Sequence, residues 1–138
     1  MKANTTKSIT LYICSSARDG HARDAIINHL KHHAPFIRIL PDTLTDEPFS
    51  KPWLLRTSDR IRRADFVLFL AGETSWLENH YQWQLLAARS LHRQRVIMKV
   101  HHGEIPVPLH KRNVPQEPVV PFKPHALTSY LQQHVAVV

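Results

Sequence analysis

One cysteine, Cys14, in a chain of 138 residues excludes any disulfide within it and fits a reducing compartment. Acidic residues are few: 11 Asp and Glu stand against 18 Lys and Arg, for a formal net charge of +7 and a pI near 10.0. That balance favours acidic partners such as nucleotides, nucleic acid or an acidic protein surface, without choosing among them. Long apolar runs are missing, so no segment has the length to span a bilayer. Met1 to Ser8 is polar and lacks the apolar core of a signal peptide. A soluble cytoplasmic protein with no membrane partner is expected. Internal repeats and low-complexity stretches are also missing.

What remains is an ordinary globular composition. The apolar fraction is 43%, enough for one hydrophobic core without metals or disulfides. A single domain over residues 1–138 is expected, with its core over about residues 8–135.

Ser8 to Cys14 (SITLYIC) is a β-branched and aromatic run that reads as a buried strand. SSARDG, from Ser15 to Gly20, is a loop. His21 to His33 then reads as a helix, with Ala22, Ala25, Ile26 and Leu30 on one face. Phe36 to Leu40 is a second strand. Trp53 to Ala64 is helical, with Leu54, Ser58 and Ile61 facing inward and Arg56, Asp59, Arg60 and Arg63 outward. Asp65 to Leu70 (DFVLFL) is the strongest strand, and the loop from Ala71 to Glu78 leads to a helix ending near His92. Arg95 to Val100 is a fourth strand. Pro106, Pro108, Pro115 and Pro118 make the next stretch loop or edge structure. Val119 to Phe122 is a short edge strand, and Pro124 to Val135 a closing helix.

Strands alternating with helices at this spacing indicate βαβ units. The expected fold is α/β: a flavodoxin-like three-layer sandwich around a parallel sheet of about five strands, in the order 2-1-3-4-5. Ligands of such sheets bind outside the carboxyl ends of the strands, where the order reverses. The Ser15–Gly20 loop, the Ala71–Glu78 loop and the stretch from His101 meet at that edge. Helix N-termini there favour anions such as phosphate. Arg18 adds charge, and Trp76 or Trp53 can stack on a base. In the third helix Tyr81, Gln84, Leu85 and Ala88 form one inward stripe. Gln84 is its polar member, close to the ligand edge.

At these residues the chain resembles the TIR-like group that includes the Thoeris antiphage defence proteins. The matching pieces are LYICSSARD (Leu11 to Asp19), the helix Trp53 to Ile61, the strand DFVLFL, the loop GETSW (Gly72 to Trp76) and the helix segment WQLLAA (Trp83 to Ala88). The resemblance covers about residues 8–102. It implies an intracellular signalling or antiviral-defence domain that self-associates or meets another TIR-pathway protein. It implies NAD or an ADP-ribose derivative as substrate or ligand, with no resident cofactor. Ligand contacts are expected from Ser15, Ser16, Arg18, Asp19, Trp53, Gly72, Thr74, Trp76 and Tyr81. Catalytic TIR domains cleave NAD with a third-helix glutamate, and this chain has Gln84 in that place. An amide can hydrogen-bond ribose hydroxyls, but it neither offsets developing positive charge nor acts as a base. Glu78 precedes Gln84 by six residues and projects onto another helix face. Glu73 sits in the loop and would need rearrangement. A catalytically degenerate nucleotide-binding or assembly module is therefore the expectation, with an active NAD hydrolase or cyclase as the alternative.

Other readings of this topology meet obstacles. A response-regulator receiver needs acidic residues where Ser15, Ser16 and Ala71 stand. A flavodoxin needs a phosphate loop that Arg18 and Asp19 interrupt. A nucleoside deoxyribosyltransferase needs a carboxylate nucleophile at the ligand edge, and none is evident. Arg56, Arg60, Arg62, Arg63, Arg89, Arg93 and Arg95 form a basic set on and beside two helices. It reads as a solvated face, with nucleic-acid binding as the further alternative. His29 and His33, one turn apart, and His101 with His102 raise metal binding. The helical pair has no obvious carboxylate or cysteine beside it and reads as surface histidines, so no metal is assigned. Cys14 reads as a buried structural thiol.

Overall fold

β-branched and aromatic side chains form the centre of the sheet. Strand β1 (Ile9–Cys14) pairs in parallel with β2 (Ile37–Ile39) on one side and β3 (Phe66–Ala71) on the other. Strand β4 (Gln94–Lys99) follows β3, and β5 (Val119–Val120) closes the edge. The computed structural model describes residues 8–100 and 117–136. Its sheet is five-stranded, in the order β2-β1-β3-β4-β5, and every pairing is parallel. The expected α/β architecture and strand order are therefore those of the protein.

Parallel strands need cover on both faces. Alternate side chains divide the core accordingly. Leu11, Ile13, Leu68, Leu70, Val96 and Met98 pack with Ile26 and Leu30 of helix α1 (Gly20–His33) and Leu127 and Leu131 of helix α4 (Pro124–Ala136). Tyr12, Cys14, Val67 and Phe69 pack on the other side with Ile61 of helix α2 (Lys51–Arg63) and Tyr81, Leu85 and Ala88 of helix α3 (Asn79–Ser90). Ile97 and Val100 are only half-buried, since β4 lies next to the edge.

The buried stripe of α2 is Trp53, Thr57 and Ile61, one residue out of step with the expected Leu54 and Ser58. Proline at the helix start and the Ser50 cap on the Trp53 N–H set the rotation of the first turn. They carry Trp53 inward and leave Leu54 half-buried. Among the described residues, no helix is long and apolar enough to cross a membrane.

Glu117 ties the start of the edge strand to its neighbours. Its side chain is 3% exposed and takes hydrogen bonds of 2.8 and 2.9 Å from Arg89 and 2.9 Å from Arg95. Burial pushes its carboxyl up, but the hydrogen bonds and charges of the two arginines outweigh burial and hold it below the ordinary value. A depressed carboxyl stabilises the fold above its unfolded pKa and loses that contribution as the pH falls through the folded value. Urea unfolding should therefore show stability declining as the pH drops below about 4.5. Glu117→Gln should lower stability at pH 7 and flatten that decline.

Candidate functional site

The sheet order reverses between β1 and β3, and a cavity of about 260 Å³ opens there. Tyr12, Cys14, Ser15, Ser16 and Arg18 line it from β1 and its following loop. Asp42, Thr43 and Asp46 line it from the β2–α2 connection, Trp53 from α2, and Glu78, His80 and Gln84 from the start of α3.

Glu78 is the central group. It is the N-cap residue of α3, with extended backbone at φ −81° and ψ 131°. Helical projection assumes a residue inside the helix and so misplaces this one. The Ser16 hydroxyl donates to Glu78 Oε2 at 2.8 Å, and His80 Nε2 lies 2.8 Å from Oε1. Both carboxylate oxygens are thus held, while the side chain keeps 29% of its surface open. A carboxylate is therefore present at this edge, in the same cavity that Gln84 lines.

Ser16 is itself fixed, since its Oγ also accepts from the Arg18 N–H at 3.2 Å and caps a 3-10 turn over Ala17–Asp19. The Ser15 hydroxyl is buried and has no hydrogen-bond partner among the described residues. A buried hydroxyl without a partner carries a desolvation penalty that a ligand can relieve. Cys14 is fully enclosed. Burial first, and then the nearby Glu78 charge, push its thiol well above the ordinary value, so it stays protonated and is no nucleophile.

Gln84 lies in the expected stripe, 4% exposed, and its amide is engaged at both ends. Tyr12 Oη donates to its Oε1 at 2.9 Å, and its Nε2 donates to the His80 carbonyl at 3.1 Å. Thr43 sits 3.4 Å from Tyr12 Oη and 2.9 Å from Thr57 Oγ1. Burial is the main reason the Tyr12 hydroxyl is pushed far above its ordinary pKa, so it remains a donor. Gln84 braces the cavity wall. Tyr12→Phe should leave its carbonyl without this donor and lower stability by about 1–3 kcal/mol in urea unfolding, with the fold retained.

The other expected contacts divide. Ser15, Ser16, Arg18 and Trp53 line the cavity. Trp53 is 2% exposed and packs between Phe49 and Trp83, at centroid distances of 5.0 and 5.2 Å, so it walls the site and has no free face for a base. Trp76 does not line the cavity. The 3-10 turn Ser75–Leu77 carries its indole N–H to the Glu73 carbonyl at 3.2 Å. Tyr81 is buried, with its hydroxyl on the Leu70 carbonyl at 3.1 Å. Gly72 and Asp19 fit together instead of lining the cavity: a Cβ at Gly72 would collide with the Asp19 carboxylate. Thr74 meets an Arg18 guanidinium N–H at 3.4 Å. Glu73 is exposed on its loop. His101 and His102 lie outside the described residues.

Part of the basic set is paired within the protein, five arginines sharing three carboxylates. Arg56 pairs with Asp46, Arg60 and Arg63 with Asp59, and Arg89 and Arg95 with Glu117. These ion pairs leave a weaker field for phosphate backbones than the seven arginines alone would give.

No family model matches the chain, and no curated protein matches it. Among solved structures, it is similar to a CMP N-glycosidase from Clostridium botulinum. The identity is 8% and the TM-score 0.56, over 90% of this chain and 98% of that one. It is also similar to the structure of a fungal multi-domain GH3 β-N-acetylglucosaminidase with a GCN5-related glucosamine N-acetyltransferase region. There the identity is 14% and the TM-score 0.52, over 99% of this chain and 15% of that one. At these identities the likeness shows a shared fold and nothing more.

Proposed function

We propose that this chain is a TIR-like nucleotide-processing domain that cleaves an N-glycosidic bond, with Glu78 supplying the carboxylate. The observation that carries this reading is the Glu78 side chain in the cavity at the strand-order reversal, both oxygens held, beside a Ser15 hydroxyl that has no partner among the described residues. N-glycosidic cleavage builds positive charge at the anomeric carbon as the base departs. A fixed carboxylate stabilises that charge. The bond from carbon to the base nitrogen breaks, and its electron pair leaves with the base. For NAD this neutralises the pyridinium, so the leaving group needs no proton; the base of a nucleoside monophosphate departs as an anion and takes its proton from solvent water. Water then adds to the anomeric carbon, and Glu78 or solvent takes the released proton.

Arg18, at the rim, offers charge to a phosphate. A cavity of about 260 Å³ suits the ribosyl-base part of a nucleotide and leaves the rest of a dinucleotide outside. The CMP N-glycosidase supports the reading by analogy of fold, since its chemistry breaks a bond of the same class. The wider role is the one the TIR resemblance implies: cytoplasmic signalling or antiviral defence, through self-association or a TIR-pathway partner.

A second reading has its own support. Gln84 occupies the resemblance's catalytic position as a neutral amide saturated by the protein, as a degenerate nucleotide-binding or assembly module would have it. Chromatography for free base after incubation with NAD or CMP separates the two. Release supports the first reading, whereas bound but intact nucleotide supports the second.

A further inference from the structure

His29 and His33 stand one turn apart on α1, and the fold adds a third imidazole to them. His125, in the first turn of α4, packs against both. The ring centroids are 4.6 Å apart for His29 and His33, 4.9 Å for His29 and His125, and 6.4 Å for His33 and His125. The hydrophobic contacts of Ile26 and Leu30 with Leu127 and Leu131 fix the two helices on one face of the sheet. His29 Nε2 is shut off from solvent and has no hydrogen-bond partner among the described residues. A buried ring nitrogen without a partner is costly. Neutral imidazole is the form that offers a lone pair to a metal. None of the three is in an ion pair among the described residues.

We propose that His29, His33 and His125 form a three-imidazole site for a zinc-class divalent ion, clamping the end of α1 to the start of α4. Two histidines at i and i+4 on one helix face are an established zinc-binding pair. A third imidazole from another helix leaves one position of a tetrahedron for water. The rings pack at 31° and 84° to one another, and among the described residues no three donors are already set around a metal position. Loading therefore takes rotation of His33 and His125, which are exposed and move between staggered rotamers at little cost. His32 is engaged with the Asn28 carbonyl at 2.8 Å and stays outside the set. The site lies near the opposite end of α1 from the cavity, roughly 14–20 Å along the helix at 1.5 Å per residue. It is independent of the proposed base release.

Isothermal titration of the untagged 138-residue chain with zinc chloride at pH 7.5 tests this. One site is expected, weakened about tenfold or more by His125→Ala, with the exposed control His21→Ala binding like the parent. His33→Ala is the second variant; its side chain is exposed, so the fold survives its removal, and circular dichroism checks this. It should weaken binding equally. The affinity should fall as the pH drops below 6, because protons compete for the same nitrogens. No zinc binding, or binding untouched by both His125→Ala and His33→Ala, overturns the site.

Discussion

Glu78→Gln should slow base release from NAD or a nucleoside monophosphate by about 10²–10⁴-fold, while nucleotide affinity changes only a few-fold. The substitution keeps the side chain's size and removes its charge. Gln can still accept from Ser16 Oγ, which holds Glu78 at 2.8 Å, so the cavity wall keeps its shape. What disappears is the negative charge that the proposed reaction uses at the anomeric carbon. That charge acts only as the bond breaks, so its loss falls on kcat and spares binding. Gln84→Glu makes the complementary case. It removes the N–H that Gln84 donates to the His80 carbonyl at 3.1 Å and sets a carboxylate against that oxygen. It should destabilise the protein and bring no gain in turnover. A large gain would instead mean that position 84, as in the TIR resemblance, is where the carboxylate belongs.

Leu68→Ala should cost about 2–5 kcal/mol and lower the thermal midpoint by roughly 10 °C in a calorimetric scan. Leu68 is 0% exposed on β3, the strand between β1 and β4. Its side chain belongs to the core face shared with α1 and α4. The neighbours are anchored in strands on both sides and cannot collapse into the space left behind. A change below 1 kcal/mol would mean that this face is packed far more loosely than the burial implies.

The fold was legible because the signals were local. DFVLFL and LYIC read as buried strands from their composition alone, and the strand order follows from the flavodoxin-like topology that the alternation indicates. The inward stripe of α3 was legible for the same reason: Tyr81, Gln84, Leu85 and Ala88 are all buried. The stripe of α2 slipped by one residue because a capped, proline-started helix sets its own rotation. Glu78 was misplaced because an N-cap residue does not follow the helix period, although its place just before the predicted helix was a usable signal. Trp76 was misread because a three-residue 3-10 turn redirects its indole. His125 was invisible beside His29 because 96 residues separate them in the sequence, and only the packing of α4 on α1 joins them.

The proposed reaction depends on Glu78 as a working carboxylate in a nucleotide cavity. The most direct test is a chromatographic time course of purified protein with NAD, run side by side for the parent chain and Glu78→Gln. The expected result is nicotinamide released together with an equal amount of ADP-ribose product by the parent, falling about 10²-fold or more in the variant. Intact NAD after long incubation with a protein that still binds it, or release that continues undiminished in Glu78→Gln, would contradict the account.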